Sequence, residues 1–203
     1  MVTYNIETDS VYRKIFGFHH VRAYRTDVQA VCDSLIYNSL DSCLTLYHDP
    51  IVWNKNQQLL GDRIEVFMKD SLIDHAHVIN NCFSIQQLRT DTTKYNQVSS
   101  KEMFAYFVDG NIHETRAKGN VLIGYFFEEG DSIPIIYNYQ ETSELRMYLK
   151  DRKLQKVWTP KSSGTMYPLN QIPADRKYLP GFAWYNYVRP TDRYDIFNWR
   201  EKK

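Results

Sequence analysis

"DRIEVFMKDSLIDHAHV" (residues 62–78) carries the pattern that decides the fold. From Ile64 to Met68 every second side chain is apolar, with Arg63, Glu65 and Lys69 as the polar counterpoint. That period of two belongs to a strand with one face buried. Lys69-Asp70-Ser71 then reads as a turn, and a second apolar run follows. Two later stretches repeat the arrangement, "KEMFAYFVDGNI" (101–112) and "SELRMYLKDRKL" (143–154). Aligned on Ile64, Met103 and Leu145, the copies superpose Val66, Ala105 and Met147, then Met68, Phe107 and Leu149. An Asp follows each time (Asp70, Asp109, Asp151), and an apolar residue resumes after it (Leu72, Ile112, Leu154). The copies lie 39 and 42 residues apart. Each is a hairpin-like unit, and a period of about 40 residues predicts a stacked β-repeat with roughly four strands of about 8 to 10 residues per period.

The flanking sequence extends the pattern. "CLTLYHDPIVW" (43–53) reads as two strands broken at Asp49-Pro50, and "HVINNCFSIQQL" (77–88) as a strand bulged at Asn80-Asn81. "NVLIGYFF" (120–127) and "IPIIYNYQ" (133–140) flank the turn "EEGDS" (128–132). "DVQAVCDSLIYNSL" (27–40) has apolar residues near helical spacing, yet strand-turn-strand is the preferred reading. From Pro168 onward the chain carries four of its seven prolines, with Trp184 and Trp199 among many tyrosines. Proline is poorly tolerated in central strands. The sequence therefore predicts two parts: a stacked β-strand domain over 1–167, and an irregular segment over 168–203 capping an end of the sheet.

Composition supports an all-β reading. The 203 residues include 16 Tyr and 10 Phe, side chains that suit a pleated surface. The net charge of +1 gives no basis for a nucleic-acid partner. It is unevenly spread: residues 1–145 hold 12 basic and 19 acidic side chains, residues 146–203 hold 13 and 5. The basic end is expected to meet an anionic ligand or an acidic neighbour. Cys32, Cys43 and Cys82 match no zinc spacing and read as small buried hydrophobes.

Candidate chemistry is sparse. His75-x-His77 places two rings on one face of a strand, but no clear third ligand accompanies them, so solvent-facing histidines are the preferred reading and no metal or other cofactor is expected. His113-Glu114 reads as surface. Glu128-Glu129 and Asp70 with Asp74 fall at turns, where acids are common without catalysis. No nucleophile elbow, zincin motif or phosphate loop is present, and the expectation is a protein that is not an enzyme. A carbohydrate-active enzyme using Asp74 or Glu128 is the weakest alternative.

The candidate site is the repeated face itself: Ile64, Val66, Met68, Met103, Ala105, Phe107, Leu145, Met147 and Leu149. If two sheets close over it, it is a core, which periodicity alone favours, and the protein is a structural β-solenoid or adhesion segment. If they splay, it is an apolar groove suited to acyl chains, each buried methylene contributing about 0.8 kcal/mol.

Three stretches carry a family resemblance: 33–67 ("DSLIYNSLDSCLTLYHDPIVWNKNQQLLGDRIEVF"), 95–121 ("YNQVSSKEMFAYFVDGNIHETRAKGNV") and 169–190 ("LNQIPADRKYLPGFAWYNYVRP"). In order along the chain they present Pro50-x-x-Trp53, Gln58-x-x-Gly61-Asp62, Asn96-Gln97, Leu179-x-Gly181-Phe182-x-Trp184 and Arg189-Pro190. This resembles the OstA/LptA family of lipopolysaccharide-transport proteins, in particular the OstA-like proteins of Bacteroidetes. The resemblance implies an open β-jellyroll, a periplasmic or outer-membrane-associated location, and lipopolysaccharide as ligand, its acyl chains in an apolar trough. It also implies partners among other transport proteins by edge-strand addition, and a possible head-to-tail homo-oligomer. No signal peptide is visible after Met1, which departs from the pattern and would be explained by an excised piece of a longer protein.

Overall fold

Long strands that bend once, sharply, in mid-course organise the protein. The computed structural model describes residues 2–5, 10–70, 72–127, 134–150 and 153–202, with side chains from residue 12 onward and, after residue 150, from residue 154. The turn 128–132 with Glu128-Glu129, Ser71 and Asp151 of the third copy lie outside the described residues. In chain order the strands are β1 (Val2–Asn5), β2 (Ser10–Gly17), β3 (Val21–Tyr24), β4 (Val28–Cys32), β5 (Ser34–Asn38), β6 (Cys43–Tyr47), β7 (Ile51–Asn54), β8 (Gln57–Leu60) and β9 (Arg63–Lys69). Four long ones follow, β10 (Leu72–Gln87), β11 (Tyr95–Val108), β12 (Asn111–Phe127) and β13 (Ile136–Lys150), and then β14 (Lys153–Trp158) and β15 (Ser163–Pro168).

All pairings are antiparallel, and they sort into two half-sheets. Half-sheet I runs β1, β2, β5, β6, β9, then one half each of β10, β11, β12 and β13, and ends at β14. Half-sheet II runs β3, β4, β7, β8, the other halves of the long strands, and ends at β15. Where a period was expected to hold four short strands, it holds two long ones, each counted once in each half-sheet.

The bend has a chemical signature. The ladder slips between Ile79 and Cys82, between Ser99 and Glu102, and between Lys118 and Val121. On strands running in one direction the corner is a pair of residues with positive φ: His19-His20, His48-Asp49, Asn80-Asn81 and Gly119-Asn120. Only Gly, and to a lesser degree Asn, Asp and His, enter that region at low cost, so these residue types mark the corners. The bulge expected at Asn80-Asn81 is one of the set. Inside the corner Asp62 accepts from Asn81 Nδ2 at 3.0 Å, and a Cβ on Gly61 would stand 2.4 Å from Val78 Cγ1.

The repeat also persists at the far end of each hairpin. The strand register skips one residue at Asp74, at His113 and at Gln155, at the same 39- and 42-residue spacing as the turns. The segment 27–40 forms β4 and β5, strand-turn-strand as expected.

The C-terminal residues cross the whole outer face of half-sheet II, where the sequence reading placed them over an end of the sheet. This strap contains one turn of α-helix (Ala174–Lys177) and short 3₁₀ turns. It covers Phe126 and Tyr137 with Leu169 and Ile172, Phe83 and Ile85 with Leu179, and Val31, Ile51 and Trp53 with Val188. Two glutamines, each about 1% exposed, hold its backbone. Gln97 accepts from Leu179 N at 2.9 Å and donates to Lys177 O at 3.0 Å. Gln58 accepts from Tyr185 N at 2.8 Å and donates to Ala183 O at 2.7 Å. Each carboxamide thus substitutes for a peptide unit of a neighbouring strand and leaves no strap amide wanting there.

Candidate functional site

The nine predicted residues lie on the inner side of half-sheet I. The register places Leu46, Ile64, Val78, Met103, Ala117 and Leu145 as successive cross-strand partners. Directly opposite residues in an antiparallel sheet share a face, so this is one continuous apolar row. A second row runs Leu44, Val66, Ala76, Ala105, Thr115 and Met147. A third, at the rim, pairs Met68 with Ile73, Phe107 with Ile112, and Leu149 with Leu154. The three copies are alternate strands, not adjacent ones. The strands between them bring Val78, Ala76, Ala117 and Thr115, which the sequence alignment of copies passed over.

Burial falls from corner to rim. Ile64, Leu145 and Met103 are 1%, 2% and 8% exposed, and they form one cluster with Cys32, Cys82, Val121 and Ile123 of half-sheet II. The inner faces of the two half-sheets therefore meet at the corner. Val66, Met68, Ala105, Phe107, Met147 and Leu149 are half-buried. Cys32 and Cys82 are free thiols in this corner, and burial pushes both up to about 12.

The inner side of half-sheet II differs. Its corner is apolar, but its rim row includes Asn54, Gln57, Gln86, Asn96 and Asn138. At the rim half-sheet I is hydrocarbon, while half-sheet II sets these carboxamides among Val28 and Tyr125.

The outer side of half-sheet I is an aromatic and ionic lattice. His75 stacks on Phe67 (4.4 Å between ring centroids) and His77 on Phe104 (4.2 Å). These are packed rings, not the solvent-facing pair the sequence suggested. Desolvation lowers the pKa of His77, and Glu102 and Glu65, 4.0 and 3.9 Å away, offset only part of it. Glu114, read as surface, is buried and takes Arg116 in both oxygens at 2.7 and 3.0 Å, which holds its carboxyl below the usual range. Arg116 also covers the Tyr106 ring at 4.9 Å.

Part of the basic C-terminal end is held by contacts of the strap. Arg200 and the buried Arg22 converge on Asp195, at 2.9 and 3.4 Å. Arg189 donates to Gln29 Oε1 and to Lys55 O, both at 2.7 Å, Arg176 to Tyr167 Oη at 2.7 Å, and Lys202 to Asp49 O at 2.6 Å. Arg200 thus meets an acid of its own segment, while Arg189, Arg176 and Lys202 meet neutral oxygens.

The residues that carried the family resemblance also converge here. Trp53 donates to Gln58 at 3.1 Å, Gln97 and Gln58 grip the strap, Gly181 turns it at φ 86°, and Phe182 and Trp184 pack beside Phe83 and Tyr95. They build the strap rather than the inner apolar rows.

Among the described residues no helix is long and apolar enough to cross a membrane. No protein-family model matches the chain, and no curated protein matches it. Among solved structures it is similar to LptH, the LptA-homologous periplasmic component of the lipopolysaccharide transport device of Pseudomonas aeruginosa. The TM-score is 0.50 at 10% identity, over 69% of this chain and 93% of that one. At that identity the likeness is one of architecture: the chain folds as an LptA-like open β-jellyroll.

Proposed function

We propose that this protein is a non-enzymatic lipopolysaccharide carrier. Acyl chains lie along the inner rows of half-sheet I, and the molecule forms one section of a path through the periplasm towards the outer membrane. The observation that carries the reading is the register that lines up Ile64, Met103 and Leu145 with their second- and third-row neighbours. Fold similarity to a periplasmic component of a lipopolysaccharide transport device supports it. The order of motifs from Pro50 to Pro190, which resembles that of the OstA-like proteins of Bacteroidetes, supports the same reading.

The outermost strands supply the assembly surfaces. Among the described residues β3 at one side and β14 and β15 at the other each pair on one side only, and Ile15, Phe18, Val157 and Met166 near them are exposed. Strand addition there would join other transport proteins or further copies head to tail.

A closed structural scaffold is the competing reading, favoured by the burial of the corner row. Native mass spectrometry with purified lipopolysaccharide separates the two. A carrier retains the amphiphile, and Val66→Arg or Met147→Arg abolishes retention with the strand signal in circular dichroism intact. A scaffold retains none.

A further inference from the structure

We propose that the outer side of the corner is a second binding site, a groove for a neutral, hydroxyl-rich oligosaccharide. It lies apart from the inner apolar rows and does not rest on the carrier reading. Two adjoining hollows of about 820 and 620 Å³ form it, and they share Asn120 and Leu122. The floor of the larger is Leu60, Phe83 and Leu122, which belong to the apolar cluster beneath the strap, not to that of Ile64, Met103 and Leu145. Pro180-Gly181 of the strap borders the larger hollow, and residues 161–163 before β15 border the smaller.

The corner itself supplies the polar lining. Each strand that bends there contributes residues from its ladder slip: Asn80 and Asn81 from β10, Lys101 from β11, Asn120 from β12 and Ser143 from β13. Neighbouring strands are about 4.8 Å apart, so from Asp62 before β9 to Ser143 the lining extends about 20 Å, which suits a chain of sugar rings. Three features select the ligand. Each hollow holds one acid and one base, Asp62 with Lys101 and Glu141 with Lys161, so neither a polyanion nor a polycation is favoured. Asn81 is engaged by Asp62 at 3.0 Å, but among the described residues the side chains of Asn80, Ser99, Lys101 and Asn120 make no hydrogen bond within the chain. Amides and hydroxyls both donate and accept, as sugar hydroxyls require of their partners. The apolar floor, finally, gives the C–H face of a sugar ring a surface to lie on while its hydroxyls reach the polar rim.

The test is an amide chemical-shift titration of the full chain with two probes, chitohexaose and the dephosphorylated, lipid-free saccharide of lipopolysaccharide. Response to the first assigns the groove to a free glycan, response to the second to the sugar part of a glycolipid, and either supports the proposal. The expected shifts fall at Asn80, Lys101, Asn120 and Ser143 and spare Ile64 and Met103. Asn80→Gly combined with Asn120→Gly removes two polar side chains and preserves the backbone, since both residues stand at positive φ, 55° and 49°. It should weaken binding about 10- to 30-fold, as the loss of two net hydrogen bonds would give. No shift with either probe, shifts confined to the inner rows, or unchanged affinity in the double variant overturns the proposal. Equal binding of a hexapeptide of serine and glycine also overturns it, because the groove would then read peptide.

Discussion

Ile64 and Met103 are partnered to the same residue, Val78, from its two sides. The shared partner turns a repeat in the sequence into a continuous wall in space. It also makes the wall sensitive to the corner beneath it, because Val78 Cγ1 stands where a Cβ on Gly61 would go.

Gly61→Ala should therefore destabilise by about 1–3 kcal/mol, the usual cost of forcing a methyl group into a packed site. Adding Val78→Ala should recover part of that loss, since it removes the methyl that would be struck. Chemical denaturation of the two single variants and the double variant measures the coupling. Strict additivity would contradict the contact.

The glutamine clamps should matter more than their polar chemistry suggests. Gln97→Ala leaves Leu179 N and Lys177 O without their partners in a buried place, at about 1–3 kcal/mol. Gln58→Ala does the same at Tyr185 and Ala183, and also strands the Trp53 indole N–H. Limited proteolysis should then cut within residues 177–189. A loss below about 0.5 kcal/mol with an intact strap would contradict the clamp.

Asp195 anchors the end of the strap. Its carboxyl is held far below the usual range, first by Arg200 and next by the Thr191 amide. A depressed carboxylate contributes stability above its unfolded pKa and loses it only as pH falls through the folded value. The anchor should therefore survive at pH 4. Asp195→Ala leaves Arg22 buried without its counter-charge, a change that costs about 3–5 kcal/mol when the whole penalty is realised. Hydrogen exchange over residues 189–200 reports the release. Unchanged protection would show that the ion pairs do not hold the strap.

His77 gives the protein an acid-sensitive term. Its folded pKa lies below the unfolded value because burial penalises the cation. The unfolded chain then binds the proton more readily, so stability falls as pH drops through about 6.5 towards the folded value. His77→Phe keeps the stack on Phe104 and should flatten Tm between pH 7 and 5. An equal slope in both proteins would remove His77 as the cause.

Much of the half-sheet I wall was legible in sequence because period-two alternation survives wherever one face is buried. Ile64 and Leu145 announce themselves against Glu65 and Arg146, and Met103 by alignment with them. The strands between them were harder to read. In β10 the register skip at Asp74 and the corner at Asn80-Asn81 each interrupt the alternation, and Ala117 and Thr115 are too small or too polar to look like core. The second half-sheet hid its direction for another reason. The strap makes its outer face apolar, so Phe83, Ile85, Phe126 and Tyr137 are buried on the side away from the inner corner. The glutamines that grip the strap read as ordinary polar positions until Leu179 and Tyr185 arrive from far along the chain. The paired left-handed residues did carry a signal, His-His, His-Asp, Asn-Asn and Gly-Asn recurring at the corners, but only Asn80-Asn81 stood out within a strand.

Site-specific photo-crosslinking to lipopolysaccharide tests the carrier account most directly. A photoreactive residue is placed in turn at Met68, Phe107 and Leu149 on the inner rim, and at their sequence neighbours Phe67, Tyr106 and Tyr148 on the outer face. The account predicts lipid adducts at the first three and few or none at the second three. Equal labelling on both faces, or labelling confined to the outer one, would contradict it.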